Sequence, residues 1–278
     1  MTRYRTVFAF FEPRVAVLVA ALFLLAGTPA WAQETLKLNL RVWLEGAYQP
    51  QADTMRTDLQ QKGVLATYYS AQGDSISPIG QRMASGYAVP ARAVDVVKLE
   101  LRTDPNVTTP LATGYAWLLN DGTIRDFKTG QRTYAEITTA LPGGNYYVVI
   151  KHRNHLPVMS AEAIWLSTSS PETSVYHPLA GSYDLGDLEH VYGAGAKPLS
   201  GMRYGMIAGD GYQDSRYETN ANDFNQVTAG VREGIGFLSP VYDPRDVDLS
   251  GEINARDYKI ASRANDALYF AGFKAGQP

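Results

Sequence analysis

The 278-residue chain has no cysteine. Disulfides, thiol nucleophiles, zinc fingers and iron–sulfur ligation are excluded at once. Histidine is scarce, with four in the whole chain, which argues against a His-rich metal site. Charge of one sign is also lacking. The 25 basic and 28 acidic side chains leave a formal net charge of −3 and no basic footprint for nucleic acid. Long hydrophobic runs are missing apart from residues 15–27, which fall short of the ~20 residues a membrane span needs. No P-loop, G-x-S-x-G, H-E-x-x-H or dinucleotide-binding pattern occurs, so the chemistries those motifs carry have no signature here. The reading is non-enzymatic, although a glycosidase-type carboxylate pair would leave no trace in sequence.

What is present begins with an address label. Arg3, Arg5 and Arg14 precede or flank the apolar run, and Ala30-Trp31-Ala32 follows it. This pattern predicts a secretory signal peptide over residues 1–32, cut before Gln33. An uncleaved anchor is the alternative. No transmembrane segment is expected after cleavage. Exported domains often rely on disulfides. This one is expected to rely on a large core, on a bound metal, or on both.

Residues 36–44 alternate with period two: Leu36, Leu38, Leu40, Val42 and Leu44 share one face, and Trp43 falls on the other. Further strands are predicted over 94–102, 113–119, 145–152 and 161–167. Asp121-Gly122 should turn the chain back along 123–127 as a hairpin. Residues 68–92 read as a long loop, and 154–157 as a break after the 145–152 strand. The spacing predicts an antiparallel, Ig-like β-sandwich of about seven strands over residues 33–185. Residues 186–205 read as a Gly-rich linker. From 206 onward strand alternation stops, Asp and Asn cluster, and short helical stretches predict a small α-helical domain over 206–278.

That domain holds the one specific constellation. Residues 246–257 read D-V-D-L-S-G-E-I-N-A-R-D. Asp246, Asp248, Ser250, Asn254 and Asp257 fall at positions 1, 3, 5, 9 and 12 of an EF-hand calcium loop. A hard cation needs several oxygens, and a loop wrapped once around it presents alternate side chains inward. Gly251 permits the turn that brings the Glu252 carbonyl into the shell. Ile253 packs inward, and a helix is predicted from Tyr258 to about Leu268. The expected cofactor is Ca2+. A polar turn capped by Asn254 or Asp257 is the plainer alternative.

Two features set this loop apart from sensor EF-hands. Position 12 is Asp, and Pro240 and Pro244 rule out a regular helix before the loop. A calcium loop with only an exiting helix resembles the repeats of dockerin domains. Dockerins carry two such repeats, and a degenerate counterpart lies upstream. Asp223-Phe224 aligns with Asp257-Tyr258, and Asp210, Asp214, Asn222 and Asp223 could gather a second, weaker ion. That segment is two residues too long for a 12-residue loop, with Tyr212 at position 3. A pseudo-repeat kept for packing is equally open.

Segments 38–48, 55–65, 94–102, 146–161 and 204–210 resemble secreted Bacteroidetes-type proteins labelled hemagglutinin-like. In those, a β-rich module precedes a dockerin-like calcium tail. The resemblance implies a protein secreted by, or on the surface of, a Gram-negative bacterium. It implies adhesion to a glycan or a surface-protein ligand. An alternative is a dockerin-bearing component of a polysaccharide-degrading assembly, docking to a cohesin-like partner through Ala255 and Arg256. Within the sandwich, the cluster 152–155 could bind a metal or ligand, but histidines three apart on a strand should face apart, which favours a structural turn. Trp43 and the Tyr68-Tyr69 pair are candidate sugar-stacking residues, with ordinary sheet packing as the alternative.

Overall fold

A computed structural model describes residues 34–71, 86–169, 182–200, 203–212 and 217–273. The expected signal peptide lies outside these residues. The described chain is mainly β. Its centre is an antiparallel sheet with the strand order His155–Met159, Gly144–His152, Ala93–Arg102, Ala112–Leu119 and Ile124–Asp126. Ile164–Leu166 pairs back on the start of Gly144–His152. The Asp121-Gly122 hairpin forms as expected, with Leu118 opposite Ile124 and Gly122 at φ +80°.

One face of this sheet carries Val97, Leu99, Leu101, Ala116, Val148 and Ile150, all fully buried. A second layer covers them. Glu34–Leu38 runs antiparallel to Ala135–Thr139, and Leu40–Arg41 runs parallel to Tyr183–Asp184. Leu36, Leu38, Leu40, Val42 and Leu44 are all fully buried, as their alternation predicts.

Trp43 departs from that alternation, because it too is buried. Its ring edge meets Tyr48, and Arg203 stacks over it at 4.4 Å. A Cβ on Gly122 would come 2.9 Å from the indole, so the hairpin glycine serves the packing as well as the turn. Trp43 is therefore not a sugar platform. The cover comes from residues expected to be linker. Ala196–Ser200 pairs with Arg203–Met206, and Met206 N donates to the Trp43 carbonyl at 2.8 Å.

Three other segments differ from expectation. Residues 155–159 do not break the sheet but return along it, because Arg153-Asn154 makes a two-residue turn with His152 opposite His155. The expected loop from 68 begins inside a helix, Val64–Ala71, which follows the short helix Asp58–Gln61. The described residues from 34 onward cluster as one compact unit.

The reason lies on the other face of the sheet. Ala93–Arg102 is buried at every position but Lys98, so both of its faces are covered. The second cover is the Val64–Ala71 helix together with the C-terminal region. That region contains two 13-residue helices, Ala221–Glu233 and Ala255–Ala267. The helices share a small core of Val227, Ile253, Ile260 and Ala261. Gly230 leaves the space that Ile253 fills, since a Cβ there would lie 2.9 Å from Ile253 Cδ1.

Candidate metal centre and adjoining cavity

The 246–257 loop is shaped by local chemistry. Pro240 and Pro244 keep the approach non-helical, as expected. Gly251 takes φ +85°, which only glycine adopts without cost. Ser250 N and Gly251 N donate to the two oxygens of Asp246 at 2.9 and 2.8 Å. Asp248 N and Asn254 N donate to the two oxygens of Asp257 at 3.0 and 2.8 Å. Ser250 N also lies 3.1 Å from Asp248 Oδ1, so backbone donors aim three carboxylates at one point. Oxygens of Asp246, Asp248 and Asp257 lie within 4.8 Å of one another, and all three residues are buried.

Burial raises the Asp246 carboxyl well above its ordinary range, and the Asp257 and Asp248 charges raise it further. Burial, with Asp248 beside it, pushes Asp257 up to about 7. Like charges gathered out of water demand a counter-charge. Two guanidiniums supply part of it, both at Asp248 Oδ2: Arg56 at 2.9 Å and Arg256 at 3.1 Å. A cation-sized gap among hard oxygens fits Ca2+ by donor type.

The other expected ligands divide. Ser250 sits in the loop, and its hydroxyl donates to the Glu252 carbonyl at 3.0 Å. The Glu252 side chain instead turns outward to Lys62 Nζ at 3.3 Å. Asn254 is the N-cap of its helix, accepting from Arg256 N at 2.8 Å, and Asp257 closes a capping box. The cap and the converging carboxylates thus coexist.

The upstream segment repeats this arrangement. Asn220 caps its helix by accepting from Asn222 N at 2.7 Å. Asp223 accepts from Tyr212 N and Asn220 N, both at 2.9 Å, as Asp257 does from Asp248 N and Asn254 N. Asp210 and Asp223 are buried, but Asn222 is exposed on the outer side of the helix start. Asp214 lies outside the described residues. Among the described residues, only the 246–257 loop brings three carboxylates together.

The 152–155 turn joins this centre to the sheet. The alternation argument fails here, because opposed residues of a hairpin point the same way. His152 Nδ1 and His155 Nδ1 lie 3.1 Å apart, and His152 Nε2 lies 3.2 Å from Asp95 Oδ2. Gly46 N donates to His155 Nε2 at 3.1 Å. Asn154 Nδ2 donates to the Asp246 carbonyl at 2.6 Å, and Arg153 donates to the Asp243 carbonyl. The turn is structural and clamps the loop. Burial lowers both histidine pKa values, so the pair stands neutral.

Beside the turn lies a cavity of about 360 Å³ on the outer face of the sheet. The sheet contributes Val96, Lys98, Tyr115 and Lys151, and the Val64–Ala71 helix contributes Tyr68 and Tyr69. Tyr217 and Tyr242 close it from the C-terminal side. The Tyr68 and Tyr242 rings lie 4.1 Å apart, and the two hydroxyls Tyr69 and Tyr242 meet at 2.8 Å. Tyr68-Tyr69 is thus a cavity wall, a role that no sequence signal gave beyond the aromatic pair itself.

No protein-family model and no curated protein matches the chain. Among solved structures, it is similar to a chain of a crystal structure of a mutant type II cohesin–X-dockerin complex from Acetivibrio cellulolyticus. The identity is 15%, over 68% of this chain and 93% of that one, with a TM-score of 0.35. A likeness at that level shows neither the family nor the fold.

Proposed function

We propose that the chain is an exported, non-enzymatic binding protein of the adhesion type, with a calcium ion held by its C-terminal loop. The convergence of buried Asp246, Asp248 and Asp257 carries this reading. The Ser250 hydroxyl and the Glu252 carbonyl stand next in line as oxygen donors. The ion neutralises the gathered carboxylates and sets the loop. The absence of nucleophile and nucleotide motifs fits a binding role, and so does the neutral, doubly bonded His152. No helix among the described residues is long and apolar enough to cross a membrane.

Calcium titration followed by calorimetry and thermal melting tests the proposal. Calcium should raise the melting temperature and a chelator should reverse the rise. Asp246→Ala should abolish the response. A melting curve indifferent to calcium, chelator and this substitution alike would sink the reading.

The repeated caps favour a second reading. Asn220 with Asp223 and Asn254 with Asp257 give two loop–helix units of like geometry, as in dockerin-type repeats. Ala221 and Asn222 occupy the places of exposed Ala255 and Arg256. The chain would then be a component of an extracellular polysaccharide-degrading assembly, docking to a cohesin-like partner. Calcium-dependent binding of the purified chain to immobilised cohesin modules is expected on this reading. Uniform failure across type I and type II modules would leave the adhesion reading alone.

A further inference from the structure

The cavity on the outer sheet face is a built site. It is lined by five tyrosines, by Lys98, Lys151 and Arg153, and by Asp210. The two lysines are direct cross-strand partners, Lys98 opposite Lys151. Both reach Glu100, at 3.4 and 2.8 Å, and Arg102 also holds that carboxylate at 2.8 Å. Glu100 lies behind the lining and organises it. Arg153 is committed to Asp95 at 2.9 Å and to the Asp243 carbonyl. Lys98, Lys151, Arg102 and Arg153 therefore stand against Glu100, Asp95 and Asp210, one positive charge in excess. Such a cavity favours an anion.

The tyrosines narrow the choice. An aromatic ring offers a flat apolar face with a polar tip, which matches a pyranose with its apolar face and hydroxyl rim. Arginine suits phosphate through its two-pronged geometry, and the Arg153 guanidinium already serves Asp95. The Lys98 and Lys151 ammonium groups are point charges that suit a carboxylate or a phosphate alike, so the ring and not the anionic group distinguishes a saccharide from free phosphate. The volume of about 360 Å³ sits near the lower end of small-molecule pockets, room for one or two sugar rings. His152 has Asp95 on one ring nitrogen and His155 on the other, so this histidine is held in place and not turned to the cavity as a free base.

We propose that this cavity binds an acidic saccharide unit, its ring against the tyrosine faces and its carboxylate between Lys98 and Lys151. The inference names a ligand class for the binding role proposed above. It is tied to the calcium loop through Tyr242, whose wall position lies just ahead of Asp246 in the chain.

Titration of the purified, calcium-saturated protein with digalacturonate, cellobiose and inorganic phosphate tests it, read by calorimetry. Digalacturonate should bind saturably, and cellobiose and phosphate at least about tenfold more weakly, the factor set by one charge-assisted contact. Lys98→Gln should weaken digalacturonate about tenfold, and Tyr68→Leu should weaken it too. Lys259→Gln, an exposed change elsewhere, should not. Circular dichroism confirms that each variant is folded. Equal affinity for cellobiose or phosphate overturns the proposal, as does unchanged binding in both folded cavity variants. If digalacturonate fails while calcium still shifts the melting curve, the cavity assignment falls alone and the calcium reading stands.

Discussion

Asp257 shows how one residue carries two duties. Its side chain closes the capping box of the Ala255–Ala267 helix and also faces Asp246 and Asp248. Capping asks for an ionised acceptor, while burial beside Asp248 pushes the group up to about 7. The proposed ion would resolve the conflict by favouring the charged form. The sign is definite. With the folded pKa raised above its ordinary 3.8, the ion-free fold binds a proton near neutrality that calcium must displace. Calcium affinity should therefore fall as pH drops through 7. Titrations at pH 8 and pH 6 should differ by about tenfold for the Asp257 proton alone, and by more where the Asp246 proton must also leave. Equal affinities would mean that Asp257 lies outside the coordination shell.

At the scale of elements, legibility follows period and turn chemistry. Residues 36–44 were readable because alternation places most of their side chains, and Asp121-Gly122 because few residues other than glycine accept φ +80°. The convergence of Asp246, Asp248 and Asp257 was readable from their spacing around Gly251 and Ile253, the pattern of a loop that turns its alternate side chains inward. What escaped was set by partners distant in sequence. Trp43 is buried because the Ala196–Ser200 hairpin arrives over it, and nothing near residue 43 announces that. His152 and His155 converge because Arg153-Asn154 turns tightly, a turn with no Gly or Pro to mark it. The cavity escaped for the same reason, since its walls come from residues 68, 98, 151, 217 and 242. Only the aromatic pair at 68–69 hinted at a platform, and Tyr69 is largely buried within its own wall.

At the scale of the whole molecule, the 246–257 loop is gripped by the β body rather than attached to it. Gly46 lies so close that an added Cβ would sit 1.8 Å from the Val247 carbonyl oxygen. Arg56 holds Asp248, Lys62 Nζ donates to the Ser250 carbonyl at 2.8 Å, and Asn154 holds the Asp246 carbonyl. With no disulfide available, the proposed ion at this junction would tie the first strand region, the sheet turn and the C-terminal helices together. The consequence is cooperative melting. Ligand bound only by the folded state adds about 2.7 kcal/mol at a hundred times its Kd. In a body of this size that corresponds to roughly 5–10 °C in Tm. The rise should appear in a single calorimetric transition that includes the tyrosine-lined sheet face. A chelator should lower that one transition as a whole. Two separate transitions, with only the smaller responding to calcium, would instead mean that the loop and its helices melt as an appendage and that the contacts at Gly46, Arg56 and Asn154 contribute little.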